Sequence, residues 1–164
     1  MVLETELDIS LKKMKMKLYR SRPHGNCFFQ AISKYFKLID DDKGFTSDIR
    51  KRCISYISQN QFVKEYISTH LGMTSQEIDN DLYELRVDGV YEIDIFDILP
   101  VVVASQYNVK VSIYTYMDSS NEEIYKDEKE TYYPIHCQTH KERTLKEIHL
   151  LYRNLEHYDL LFPM

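Results

Sequence analysis

Arg22-Pro23-His24-Gly25-Asn26-Cys27-Phe28-Phe29-Gln30-Ala31-Ile32 is the stretch from which the chain can be read in both directions. Pro23, Gly25 and Asn26 are turn residues. Phe28, Ala31, Ile32, Tyr35 and Phe36 then recur at helical spacing, so a helix begins at Cys27. A thiol in the first turn of a helix meets unpaired N–H groups and the positive end of the helix dipole, which favour its thiolate form. The same turn can aim backbone N–H groups at a neighbouring point, as an oxyanion hole requires. Gly25 lets the backbone bend tightly, and Asn26 tolerates unusual dihedrals.

Upstream, Leu3, Leu7, Leu11, Met14 and Leu18 predict an amphipathic helix over residues 1–18 with its lysines on the polar face. Downstream, Ser47 is placed to cap a third helix with Ile49, Cys53, Tyr56 and Ile57 on its buried side. Phe62, Tyr66 and Ile67 suggest a short continuation. Thr74-Ser75-Gln76-Glu77 is a capping-box pattern that opens another helix. Residues 97–107 read as a buried helix, with Pro100 in its first turn. The period then changes to two: Val109, Val111 and Ile113 alternate with polar neighbours. Weaker strands are expected over 122–126 and 131–135, followed by Ile148-Leu150-Tyr152 and a closing strand from His157 to Phe162. Helices first and strands later make an α+β domain.

A chain of 164 residues with 43% hydrophobic and 29% charged residues suits one globular domain. Its three Cys show no regular spacing, which argues against a disulfide framework and for a reducing cytosol. No apolar run reaches the roughly 18–20 residues of a membrane span, and the first twenty residues, with Glu4, Glu6 and Asp8, do not read as a signal peptide. The net charge of −5 argues against nucleic acid as the main partner. Residues 12–22 are basic and 77–97 acidic; the simple reading of each is a solvated face. Cys53 falls on an apolar stripe and reads as core. His136, Cys137 and His140 lack a familiar zinc spacing, so no metal is expected, and His149 reads as an ordinary strand residue.

His157 and Asp159 lie two apart on the last strand, so both side chains emerge on one face. An acid beside an imidazole holds its tautomer and stabilises the imidazolium, completing a Cys-His-acid set with Cys27. At this point the residues resemble a known family. The segment from Pro23 to Ile32 is similar to the nucleophile segment of ovarian-tumour (OTU) deubiquitinases. His149-Leu150-Leu151-Tyr152 followed by His157-Tyr158-Asp159 resembles their closing strands. Ser47-Asp48-Ile49-Arg50 and Ala104-Ser105-Gln106-Tyr107-Asn108-Val109 are similar to the middle helix and the helix-to-strand turn.

The resemblance implies a papain-like fold, α+β with a small, mainly antiparallel sheet, as one domain over residues 1–164. It implies a cysteine-type deubiquitinase, without cofactor or metal, that attacks the carbonyl of ubiquitin's C-terminal Gly through Cys27, with His157 as base and Asp159 as the orienting acid. His24, Gly25 and Asn26 would form the oxyanion loop. The partners implied are ubiquitin and polyubiquitin chains; neither nucleic acid nor a membrane is expected, and the protein would act as a monomer in the cytosol of a eukaryotic cell. Two departures stand out: His24 where the family usually has Asp, and Tyr91 where many members have Trp. Both fit a divergent branch, such as a viral or bacterial one. The rivals are a module that binds ubiquitin without cleaving it, and a cysteine protease acting on a ubiquitin-like modifier or a viral polyprotein.

Overall fold

A computed structural model describes residues 5–22, 25–120, 122–136 and 145–164. The chain opens with helix α1 (Glu6–Met14), capped reciprocally by Thr5 and Asp8. The spacing of Leu7, Leu11 and Met14 is helical as expected, but the helix does not reach Leu18. Lys15 takes a left-handed conformation at φ 57°, and the chain turns into strand β1 (Met16–Tyr19), which pairs antiparallel with strand β5 (His157–Pro163).

Helices α2 (Cys27–Leu38), α3 (Thr46–Gln59), α4 (Gln61–Leu71) and α5 (Ser75–Leu85) follow. The α3 cap differs from the expectation at Ser47: Phe45 holds the N-cap position, and the Asp48 carboxylate accepts its N–H at 2.8 Å. Helix α4 is a separate 11-residue element, not a continuation of α3, because Asn60 breaks the helix with an extended backbone between them. The capping box at Thr74 and Glu77 forms as read. A short 3-10 helix (Asp94–Ile98) leads into α6 (Leu99–Tyr107), with Pro100 in its first turn, where a missing N–H costs no bond.

The second half builds the sheet from β2 (Lys110–Tyr116), β3 (Glu130–Tyr132), β4 (Glu147–Arg153) and β5, in the order β1-β5-β4-β2-β3. Only β2 and β4 run parallel among these pairs. Residues 122–126 form no strand: Ile124 instead packs on α1, and its N–H reaches Ser10 Oγ at 3.0 Å. The expected strand over 131–135 shortens to β3, and the Ile135 N–H bonds Ser105 Oγ at 2.8 Å.

Alternation along the strands buries both faces of the sheet. Val111, Ile113, Leu150 and Leu160 join the main core with α2 to α6. Tyr114, Tyr116, Leu151 and Leu161 face the other way, against Leu7, Leu11 and Met14 of α1. The N-terminal helix is therefore the lid of a second core, which explains why its apolar stripe is needed.

Arg50 ties this scaffold to the Cys27 turn. It lies on α3 and is 1% exposed. Nη2 donates to the Gly25 carbonyl at 3.0 Å and to Asn26 Oδ1 at 2.7 Å. Nη1 donates to the carbonyls of Leu85 at 3.1 Å and Val90 at 2.9 Å. The guanidinium carbon also lies 4.6 Å from the centre of the Phe29 ring. Asn26 Oδ1 additionally accepts the Gly89 N–H at 3.0 Å. Gly25, at φ +75°, is pressed so closely on this loop that a Cβ would stand 1.8 Å from the Gly89 oxygen. A larger residue there would force the turn apart.

Burial pulls the Arg50 pKa down while Asp88, 3.9 Å away, opposes the shift. Lysine cannot reproduce this planar fork. Arg50→Ala strands several buried acceptors and should lower unfolding stability by at least about 3 kcal/mol, with Arg50→Lys recovering only part of it. Guanidinium-chloride unfolding checks this; a loss below about 1 kcal/mol for Arg50→Ala would show that the clamp is dispensable.

Candidate active site

Cys27 begins α2 and is only 5% exposed. Asn26 occupies the N-cap position, yet its side chain does not cap the helix because Arg50 and Gly89 hold it. Asn26 thus acts in the turn through its side chain as a latch, where the sequence suggested only backbone tolerance. Sγ of Cys27 accepts the backbone N–H of Tyr158 at 3.4 Å. The residue next to His157 is thereby seated on the sulfur, although 131 positions separate the two in sequence.

His157 and Asp159 leave β5 on one face, as the spacing predicts. Nε2 of His157 lies 2.8 Å from Asp159 Oδ1, and the same carboxylate oxygen accepts the Ser21 N–H at 2.8 Å. Asp159 is 2% exposed, so the carboxylate is fixed from two sides. A proton on Nε2 in this bond leaves Nδ1 free to act as base. Among the described residues, Sγ bonds the Tyr158 amide and not the imidazole; such contacts commonly tighten only when substrate enters.

The thiol differs from the sequence-based expectation. Burial pushes the Cys27 pKa above the ordinary thiol value, and the negative charge of Asp159 adds to the shift. The N–H groups of Tyr158 and Phe28 oppose burial without overcoming it. A helix start does supply the donors, but the desolvation of a nearly enclosed sulfur outweighs them.

A cavity of about 260 Å³ opens beside Cys27, lined by Tyr91, Glu92, Phe96, Asp97, Tyr152, Leu155, Glu156 and Tyr158. Two residues of the acidic stretch, Glu92 and Asp97, therefore face the sulfur's own cleft. Tyr91 lines it where a Trp was the alternative, and packs edge-on against Phe96. Tyr158 stacks on Tyr152 at 4.5 Å and meets Phe28 edge-on, which makes the floor aromatic. A second cavity on the imidazole side is lined by Arg20, Ser21, Arg153, Asn154, Glu156, His157 and Asp159.

Of the residues singled out in the sequence, Gly25, Asn26, Cys27, His157 and Asp159 converge here, while His24 lies outside the described residues. Cys53 is fully buried, and burial pushes its thiol up to about 12, as suits a core residue. Cys137 and His140 also lie outside the described residues; His136 Nε2 sits 3.3 Å from Asn108 Oδ1. Among the described residues no cluster of His, Cys, Asp or Glu is arranged to hold a metal, and no helix is long and apolar enough to cross a membrane. Arg50 was missed as a site residue. Its signal was its position three before Cys53 and seven before Ile57, on the apolar stripe of α3.

No protein-family model and no curated protein sequence matches this chain. Solved structures do. The OTU domain of human OTUD1 is 16% identical, with a TM-score of 0.70 over 96% of this chain and 92% of that one. The Hazara virus OTU bound to ubiquitin is 13% identical, with a TM-score of 0.60 over 98% and 86%. An OTU deubiquitinase from Wolbachia pipientis wMel bound to ubiquitin is 11% identical, with a TM-score of 0.59 over 92% and 97%. From the Cys27 helix to the closing strand β5, the chain carries the fold of an OTU domain.

Proposed function

We propose that this chain is a cysteine-type deubiquitinase that hydrolyses isopeptide bonds at the C-terminal Gly of ubiquitin, acting as a monomer in the cytosol of a eukaryotic cell. The observation that carries the reading is the meeting of Cys27, at a helix start, with the backbone of Tyr158 beside a bonded His157–Asp159 pair. Support comes from the OTU-domain fold, two of whose solved examples hold ubiquitin.

In this reading, His157 Nδ1 takes the Cys27 proton as the sulfur attacks the Gly carbonyl carbon. The carbonyl oxygen becomes an oxyanion held by backbone N–H groups of Cys27 and the turn before it. The imidazolium then protonates the lysine amine, the C–N bond breaks and a thioester remains. Water, deprotonated by His157, attacks the thioester and releases ubiquitin's carboxylate, returning the proton to Cys27. Asp159, held by Ser21, keeps the proton on Nε2 throughout. Glu92, Asp97 and Glu156 give the cleft a negative wall suited to an arginine-bearing tail. Longer ubiquitin chains would present the same tail.

Turnover of a ubiquitin-linked fluorophore tests the assignment. Cys27→Ala should abolish it with the fold intact, and His157→Ala should cost at least about 10²–10⁴-fold. Asp159→Ala should retain more activity than His157→Ala, because the sulfur and the oxyanion donors remain. Parent-rate turnover by Cys27→Ala would sink the proposal. The same fluorophore on a ubiquitin-like modifier separates the rival protease reading, and binding without turnover would identify a ubiquitin-binding module.

The raised thiol pKa gives a pH prediction. A group whose folded pKa is raised stays protonated further up the pH scale, so the free enzyme holds a neutral thiol at pH 7. Alkylation of Cys27 by iodoacetamide should be slow there and climb through an inflection above the ordinary thiol value of about 8.5. An inflection below pH 7 would instead indicate a preformed thiolate–imidazolium pair.

A further inference from the structure

The basic run of residues 12–22 meets a second set of lysines in space. Lys17 stands on β1 two residues before Tyr19, so both side chains leave this edge strand on one face. Lys17 Nζ lies 4.9 Å from the centre of the Tyr19 ring, and Lys34 Nζ, from α2, lies 5.2 Å from the same centre. Tyr19 pairs with Leu160 of the main core, so this is the α2 side of the sheet. Asp159, next to Leu160, points to the other side.

Between β1, α2 and the start of α3 lies a cavity of about 390 Å³. Gln30, Lys34 and Lys37 line it from α2 at i, i+4 and i+7, which is one face of that helix. Their contacts show where these side chains go. Gln30 Oε1 accepts the Arg22 N–H at 2.9 Å, Lys34 reaches across to Tyr19, and Lys37 Nζ lies 5.4 Å from the centre of the Phe45 ring, next to Thr46 in the lining. Ser33 Oγ donates to the Gly44 carbonyl at 2.8 Å, tying α2 to the loop before α3.

No carboxylate lines this cavity, in a chain with 26 acidic residues against 21 basic ones. The acids nearby are engaged elsewhere: Asp42 accepts the Gly44 N–H and Asp48 the Phe45 N–H, each at 2.8 Å, and Asp41 pairs with Lys43 at 3.2 Å. Lys13, Lys64 and Lys129 likewise have carboxylate partners at 2.8 to 2.9 Å. Among the described residues, Lys17, Lys34 and Lys37 have none. Two ammonium groups gathered on one ring repel each other, and Lys34 and Lys37 repel at i, i+3 along the helix. The fold supplies no counter-charge, so the counter-charge belongs to a ligand.

We infer that this cavity is a binding site for a compact ligand carrying phosphate monoesters. Each such group brings nearly two negative charges and three acceptor oxygens, which suit convergent ammonium donors. The volume is that of a small-molecule site, not of a flat docking face for an acidic protein. The inference goes beyond the deubiquitinase reading and does not rest on it.

Isothermal titration calorimetry of the full chain with inositol hexakisphosphate, at about 150 mM salt to screen loose surface attraction, tests it. Saturable binding is expected. Lys34→Ala/Lys37→Ala should weaken it about tenfold or more, with Tm of the free protein held within about 2 °C. Lys17→Ala, on the facing strand, should weaken it about threefold. Lys126→Ala removes the same charge from the turn before β3, at the opposite edge of the sheet, and should leave affinity within about twofold. Sedimentation with phosphatidylcholine vesicles, with and without phosphatidylinositol bisphosphate, separates the sources: pelleting with the phosphorylated vesicles assigns the site to a lipid headgroup, and soluble binding without pelleting to a free phosphate ester. Binding in neither arm overturns the inference. So does equal affinity for benzenehexacarboxylate, or a loss in Lys126→Ala as large as in the double variant, since either would reduce the effect to net charge.

Discussion

The guanidinium of Arg50 is the group on which the geometry around Cys27 depends. It bonds carbonyls from three separate segments and an amide oxygen, and does so from inside the protein at 1% exposure. A charge at such depth is tolerated only when nearly every donor finds an acceptor. Here those acceptors are the backbone of the Cys27 turn, the end of α5 and the 86–90 loop. The same contacts that stabilise the charge therefore fix where α2 starts, and with it where the sulfur sits. The nearby Tyr91 and Glu92, which line the cleft, follow directly from the clamped loop.

The opposite wall depends on pairing at the two ends of the chain. Strand β1 pairs with β5, and immediately afterwards the Ser21 N–H holds Asp159. The acid that orients His157 is thus positioned by backbone from residues 16–21, supported in turn by the α1 core. Between these walls the sulfur is enclosed. Enclosure raises the thiol pKa, so in the proposed reaction Cys27 depends on a base delivered to it. The influences on the thiol are local and opposed, and burial outweighs the three backbone N–H groups, of Tyr158, Phe28 and Cys27 itself, that offset it.

The regular elements were legible wherever period and cap agreed. The Thr74–Glu77 box and Pro100 at the start of α6 appear as read, and β2, β4 and β5 lie where period two placed strands, but β2 is not half-buried: Ser112 and Tyr114 are as buried as Val111. Cys27, His157 and Asp159 were legible because helix start and strand alternation each point to a site independently. Leu18 misled: its spacing continues the α1 stripe, but Lys15 ends the helix in a left-handed turn and Leu18 pairs with Leu161 across the sheet. Local period carries no information about a partner strand more than 140 residues away. The same limit hid Arg50, whose acceptors are backbone groups that no side-chain pattern reveals. It also hid the burial of Cys27, because helix starts usually lie near the surface while this one is covered by β5. Residues 122–126 failed as a strand for a related reason: Ile124 satisfies its apolar side chain and its N–H on α1.

Charge adds direction to the cleft. The protein carries a net −5, and three carboxylates, Glu92, Asp97 and Glu156, stand in the lining beside the sulfur. Such a wall suits the cationic tail of the proposed substrate, and the stacked Tyr152 and Tyr158 give the same cleft an aromatic floor. The account therefore stands or falls on whether Cys27 reacts with the end of a bound ubiquitin. The direct measurement uses ubiquitin carrying a C-terminal electrophile, with the adduct located by peptide mass mapping. The account predicts a single covalent ubiquitin on Cys27, blocked in Cys27→Ala and kept in Cys53→Ala and Cys137→Ala. An adduct on Cys53 or Cys137, or none on a folded protein that binds ubiquitin, would contradict it.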